Sequence, residues 1–335
     1  MAESLPFMLA WLAELVFASW LLSYGAEHLA ERWGARFVGR TLLSVATTLP
    51  EIAIVAYAAK EGSYDTAISA ALGSNLLMMT LGLAIMLIIA TTKLSKAPMK
   101  YIDVKQFKLD TVLLIITAIA GAVMFIDGYE IVDGIIFSAM FAVYLYLAFR
   151  EIKHEKAERL ENEAHGEHHK AKQSKKHFIK ALLIFAAGTA GIFIGAEPFI
   201  HSLKDMSIES GISVVVLAII IAPIAGEMPE KISMMILARK GAYGASIAVA
   251  NVLGSKILNN TLLLAVAVFA AISFRGFTEK IQNNTLLEYQ MILVTVITLV
   301  AIIPILKNKL GLRTGVMLLI LYVVGIGLQT ILPSL

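Results

Sequence analysis

Glu51 and Glu230 are the two residues whose chemistry is hardest to reconcile with their surroundings. Each follows a proline in otherwise apolar sequence, "SVATTLPEIAI" at 44–54 and "AIIIAPIAGEMPEKISMMI" at 218–236. A carboxylate held in the middle of a bilayer costs about 2.5–3.5 kcal/mol or more, so it is kept where it has a partner, a cavity or a task. Pro50 and Pro229 each remove a backbone donor and free a carbonyl one turn earlier. In hydrocarbon that carbonyl needs a new partner, unless it lines a polar cavity or holds an ion. Thr47 and Thr48 add hydroxyl oxygens just ahead of the first proline. Carboxylate, hydroxyl and freed carbonyl oxygens within two turns make a ligand set for a hard cation, Ca²⁺, Mg²⁺ or Na⁺, rather than a soft metal. If the two elements meet, one Ca²⁺ between Glu51 and Glu230 is locally neutralised.

The oxygen-rich residues continue downstream. "LGS" at 72–74 and again at 253–255 brings Ser74 and Ser255, with Asn75, Asn251, Asn259 and Asn260 nearby. Glycine and serine in a span also let helices approach closely, so these segments read either as packing or as ligands.

These residues must be positioned by a membrane scaffold. Of 335 residues 58% are hydrophobic and 16% charged, and the mean hydropathy is +0.78. Apolar runs recur at the length needed to cross about 30 Å of hydrocarbon. They place ten spans at 5–27, 37–59, 65–92, 109–126, 131–150, 178–201, 211–238, 242–273, 287–305 and 313–333. "MAESLPFMLAWLAELVF" lacks a basic leader region and a clear cleavage site, and is expected to be the first span. The fold expected is an all-α polytopic membrane protein with helices broken at the midplane. With no cysteine there are no disulfides, thiolate metal sites or cysteine nucleophiles. The net charge of +3 is spread over short loops and points to no nucleic acid. The bilayer is the partner to expect, and no obligate protein partner is evident.

Between the fifth and sixth spans, residues 151–177 are polar and charged, a cytoplasmic linker or extramembrane helix. His154, His165, His168, His169 and His177 fall in it; a solvated linker accounts for them more simply than a metal sensor does. Loops on one side, this linker among them, hold 22 of the 28 basic residues. By the excess of lysine and arginine on the cytoplasmic side, both termini face away from the cytoplasm. Lys231 and Lys256 fall inside spans instead.

An internal repeat organises the chain. Glu51, Gly62 and Ile68 align with Glu230, Gly241 and Ile247, each 179 residues on; "LGS" and Thr80 align with "LGS" and Thr261, each 181 on. Each copy occupies the second and third spans of a five-span half. Five is odd, so residues 178–335 form a second repeat inverted relative to residues 1–150, an organisation found in many secondary transporters.

With "ATTLPE" (46–51) and "LGSNLLM" (72–78) in one half, and "AGEMPE" (225–230) and "LGSKILN" (253–259) in the other, the sequence resembles the calcium/cation antiporter superfamily, most of all its prokaryotic sodium/calcium exchangers. The resemblance spans nearly the whole chain. It implies a secondary active antiporter of the cell membrane that exchanges Ca²⁺ for Na⁺ by alternating access, with the first and sixth spans sliding past a fixed core. The transported ions are its substrates; no cofactor is implied. It further implies that Glu51 and Glu230 hold Ca²⁺ and help bind the counter-ion. Thr47, Thr48 and Ser74 supply hydroxyls, the Ser44 carbonyl points into the first-repeat site, and Ser255 and Asn259 fall on ligand positions of the second.

The departures from that pattern bear on coupling. Met78 stands where the family usually has Asn or Asp, and Asn259 where Asp is frequent. Gly226 and Glu227 replace a Thr-Ser pair, losing two hydroxyls and gaining a carboxylate. Lys256 stands where its repeat-mate is Asn75; pairing with Glu227 would put its ammonium in space a counter-ion would fill, whereas Lys231 can snorkel towards an interface. Fewer counter-ions, or protons, are then expected. The rival reading keeps the fold and exchanges Ca²⁺ or another divalent cation for H⁺. An extra buried carboxylate beside Glu230 favours it, and the absence of the Gly-Asn-x-x-Glu motifs usual in the proton-coupled branch counts against it. A channel lacks a filter sequence here. An enzyme lacks His-Glu-x-x-His and Gly-x-Ser-x-Gly, and none is expected.

Overall fold

In hydrocarbon a backbone satisfies its hydrogen bonds internally only as a helix or a closed barrel, and the apolar runs here form helices. The computed structural model describes residues 4–33, 43–162 and 175–331, and among them no strand is found beyond two isolated bridges. The helices are α1 (Ser4–Trp33), α2 (Leu43–Lys60), α3 (Tyr64–Leu77), α4 (Leu83–Thr91), α5 (Lys108–Met124), α6 (Ile131–Asn162), α7 (Lys175–Ser210), α8 (Val214–Arg239), α9 (Ala242–Leu258), α10 (Leu264–Arg275), α11 (Thr285–Leu306) and α12 (Leu312–Ile331). A five-residue π segment, Met78–Gly82, joins α3 to α4; another, Asn259–Leu263, joins α9 to α10.

Eight stretches among the described residues are long and apolar enough to cross a membrane, where ten spans were expected. The two expected spans that fall short are α2 and α8, at 37–59 and 211–238. They carry Glu51 and Lys60, and Glu227, Glu230 and Lys231. α6 runs on through residues 151–162 of the linker, while 163–174, with His165, His168 and His169, lie outside the described residues.

Two apolar clusters fill the interior. One gathers α1, α2, α3, α7, the start of α8 and α10; the other gathers α4, α9, the end of α8 and parts of α11 and α12. They change over between Leu76 on α3 and Met78 in the π segment after it, just past Ser74 and Asn75; between Ala225 and Met234 on α8; and between Leu258 on α9 and Leu263 at the end of the second π segment. Every one of those changeovers coincides with polar residues, so the two cores are separated by a polar belt. On the outside Val132, Leu183, Ile194 and Val323 are exposed, the apolar face a bilayer covers.

α7 lies along α1 through glycines, with Gly188 against Ala18 and Leu22, and Gly191 and Gly195 against Glu14. A methyl on Gly188 would come within 2.7 Å of the Ala18 carbonyl oxygen, so only glycine permits this spacing.

Candidate functional site

The belt is built from four helices. On α2, one residue past Pro50, Glu51 is 5% exposed, and its Oε2 has no hydrogen-bond partner among the described residues. It can enter because α8 presents Gly226 opposite: a Cβ there would lie 2.7 Å from the Glu51 carboxylate carbon. The Glu51 carboxylate therefore rests on the α8 backbone, within electrostatic reach of Glu227, Glu230 and Lys256.

α8 carries Glu227 and Glu230, one turn apart and 0% and 2% exposed. Asn251 of α9 donates from Nδ2 to Glu230 Oε1 at 2.8 Å. Ser255 lies beside the same carboxylate, with its hydroxyl donated to the Val252 carbonyl of its own helix at 3.2 Å. Glu227 faces the other way, towards α3. There Gly73 lets the two helices nearly touch, since a Cβ would fall 2.7 Å from Pro223 Cγ. The next residue, Ser74, donates from its hydroxyl to Glu227 Oε1.

Lys256 closes this corner. It is 1% exposed, and its ammonium is ion-paired with Glu227 Oε1. Nζ also donates to Ser74 Oγ at 2.8 Å and meets the Ser74 carbonyl oxygen at 3.5 Å. The surrounding donors and acceptors orient the Asn259 amide with its oxygen towards Nζ, at 3.0 Å, and its nitrogen on the Ser255 carbonyl, at 3.2 Å. Glu227 Oε2 remains without a partner among the described residues. Lys231, 9% exposed, has no hydrogen bond or ion pair among the described residues.

Around this centre the belt continues as amides. Asn75 Nδ2 donates to Asn260 Oδ1 at 2.5 Å, and Asn260 reaches Thr117 of α5 at 3.5 Å. A cavity of about 20 Å³, room for roughly one water, borders Asn75, Asn259, Asn260 and Thr298. The π segments follow directly; π turns inside α-helices are frequent at functional sites.

Of the residues singled out in the sequence, Glu51, Ser74, Asn75, Glu227, Glu230, Ser255, Lys256 and Asn259 all lie in this belt. Thr48 is buried on α2. Ser44 and Thr47 lie on the backbone of α2, and their side chains are outside the described residues. Met78, fully buried, belongs to the apolar cluster and offers the belt only a thioether. Asn251, open in the sequence between packing and ligand, lies on Glu230 and recurs with Ser255 and Asn259 every four residues. Glu14 of α1 was not singled out: its buried Oε2, against Gly195, has no hydrogen-bond partner among the described residues, and a lone acid in the first span carries no repeat to flag it.

At one end of the molecule a second set of charges ties elements together. Lys204 of α7 pairs with Glu61 at 2.5 Å, His201 Nε2 lies 2.9 Å from the same carboxylate, and Arg275 of α10 donates to the Glu61 carbonyl at 2.5 Å.

A model of the family described as sodium/calcium exchanger protein matches residues 4–150 and 180–331. Over 304 residues the chain is 25% identical to an uncharacterised membrane protein of Methanocaldococcus jannaschii, with 90% of each covered. Among solved structures, that of the H⁺/Ca²⁺ exchanger CAX is similar with a TM-score of 0.80 and 18% identity, over 99% of this chain and 88% of that one. The sodium–calcium exchanger NCX_Mj is similar with a TM-score of 0.66 and 23% identity, over 97% of each. At these identities the likeness is one of fold.

Proposed function

The chain belongs to the sodium/calcium exchanger protein family, within the calcium/cation antiporter superfamily, and from that membership we propose that it exchanges Ca²⁺ for Na⁺ by alternating access. One observation carries the reading: carboxylates from two distant parts of the chain, Glu51 on α2 and Glu227 and Glu230 on α8, converge between two apolar cores. Buried carboxylates without enough fixed positive charge need a mobile cation or a proton, and oxygen ligands of this hardness suit Ca²⁺. Glu51 and Glu230 bind it, aided by oxygens of Thr47, Thr48, Ser74, Ser255 and Asn259 and by the Ser44 carbonyl.

The scaffold for this is ten spans in two inverted five-helix repeats, residues 1–150 and 178–335, joined by a cytoplasmic linker at 151–177. Several spacings support it. The π segments begin at Met78 and Asn259, 181 residues apart, and positive-φ glycines, Gly62 and Gly241, close α2 and α8 at a spacing of 179. The two isolated bridges, Ile102 with Leu310 and Tyr129 with Ile281, exchange under the same two offsets. α2 and α8 complete the count of ten; a short or interrupted hydrophobic segment at matching positions of two halves marks the binding helices of such transporters. α1 and α7, packed through glycine, are the pair suited to slide. The lysine and arginine bias places both termini outside the cytoplasm.

Exchange of Ca²⁺ for H⁺ is the second reading, favoured by the additional carboxylate Glu227. Against it, that carboxylate is engaged by Lys256. Uptake of Ca²⁺ into proteoliposomes separates the two: Na⁺-loaded vesicles are expected to accumulate Ca²⁺, and vesicles holding only a pH gradient are not. Accumulation driven by the pH gradient alone would transfer the protein to the proton-coupled reading.

A further inference from the structure

The Lys256 ammonium sits in a cage of oxygens: Glu227 Oε1, Ser74 Oγ at 2.8 Å, the Ser74 carbonyl at 3.5 Å and the inward-turned Asn259 Oδ1 at 3.0 Å. A carboxylate, a hydroxyl, a carbonyl and an amide oxygen around a single positive charge are the ligands of a small monovalent cation. Here the cation is covalently attached to α9. The cage draws on three helices, so it is not a local side-chain pairing within one element. Because Lys256 is 1% exposed and Glu227 0% exposed, neither charge is screened by solvent.

Charge in the belt then decides what else can enter. Counted as ionised, Glu51, Glu227 and Glu230 carry three negative charges, and Lys256, ion-paired within the cage, returns one. Lys231, buried nearby on α8, forms no ion pair with them among the described residues and is left out of the cage's count. Two negative charges are left for mobile ions. An occluded, low-dielectric compartment is least costly when its contents are neutral. One divalent cation meets that condition, and so do two monovalent ones.

We propose that Lys256 is a built-in monovalent cation that fixes the coupling ratio, so that one Ca²⁺ exchanges for two monovalent ions and no net charge crosses the membrane. The proposal rests on the exchanger reading above and adds its stoichiometry and electrical behaviour. Lys256 is here a specificity-determining residue: it decides how many counter-ions are carried by occupying a place that one of them would take. Lys231, near the same carboxylates but bonded to none of them, serves as the control.

The test clamps proteoliposomes at set potentials with K⁺ and valinomycin, and reads the plateau of ⁴⁵Ca²⁺ accumulation under whichever monovalent gradient drives uptake. The wild-type plateau is expected to stay flat across the clamp. Lys256→Asn empties the cage and leaves three negative charges, so a third monovalent ion leaves for each Ca²⁺. One charge then moves per cycle, worth about 2.3 kcal/mol per 100 mV, and the plateau should shift roughly fifty-fold over that range, rising with an inside-positive potential. The double variant Glu227→Gln/Lys256→Asn restores two negative charges and should be flat again; it removes both members of the buried pair together and so leaves no stranded charge. Lys231→Gln should also be flat. A wild-type plateau that follows the potential overturns the proposal even if no variant folds. So does a transporting Lys256→Asn that stays flat, a double variant that shifts, or a Lys231→Gln that shifts. Absence of wild-type uptake under every gradient would instead remove the exchanger reading, and the proposal with it.

Discussion

Glu51 enters the polar belt only because residue 226 has no side chain, and that contact gives a direct test of the site's geometry. Gly226→Ala puts a methyl 2.7 Å from the Glu51 carboxylate carbon, and crowding of this kind costs about 1–3 kcal/mol. The expected result is Ca²⁺ affinity lowered roughly tenfold or more, with the protein still expressed and folded. Unchanged affinity would mean that Glu51 does not bind where it now rests. At this scale the sequence was informative about charge and uninformative about partners. Glu51 and Glu230 could be picked out because a carboxylate in an apolar run has no cheap alternative. Lys256 raised the same suspicion, and its pairing with Glu227 is present. The contribution of Ser74 to that pair is different in kind: it crosses 182 residues of chain, and no local spacing encodes it. Glu14 went unnoticed for the opposite reason, since a single acid near a helix middle has nothing in the sequence to pair with.

Helices α1 and α7 are the elements that a sliding mechanism asks to move, and their glycine contacts make that motion testable. Gly188 faces Ala18 and Leu22 at a distance that leaves no room for a side chain. Gly188→Val is expected to wedge the two helices apart and slow Ca²⁺ uptake by about tenfold or more, through overpacking of the kind that costs 1–3 kcal/mol. Equilibrium Ca²⁺ binding, which we propose is made in the belt by α2, α8 and α9, should be unaffected. Loss of binding together with transport would show that these helices shape the site as well as gate it. Helix positions were largely legible, because apolar length alone sets them. The spans at α2 and α8 were legible from apolar length too, although each carries buried charge, and the repeat added that the two correspond. The π segments were invisible, as a π turn has no distinct composition; only the paired Thr80 and Thr261, each bonding back to its own helix at Leu76 and Ile257, mark them in retrospect.

At the level of the whole molecule, the chain holds two apolar cores with a charged belt between them, and a basic excess in the loops of one face. The protein lacks cysteine, so single cysteines placed at residues 4 and 331 report topology without background. Both are expected to react with a membrane-impermeant maleimide added outside intact cells, and a cysteine at residue 175 is not. Labelling of only one terminus from outside would contradict an even number of spans and with it the two-repeat architecture. The most direct test of the account as a whole is calorimetric titration of Ca²⁺ into the purified protein beside Glu51→Gln and Glu230→Gln. A single Ca²⁺ per chain, lost in either variant, is the result predicted for carboxylates from both halves sharing one ion. Binding that survives the loss of either carboxylate, or two independent sites of which each variant removes one, would contradict it.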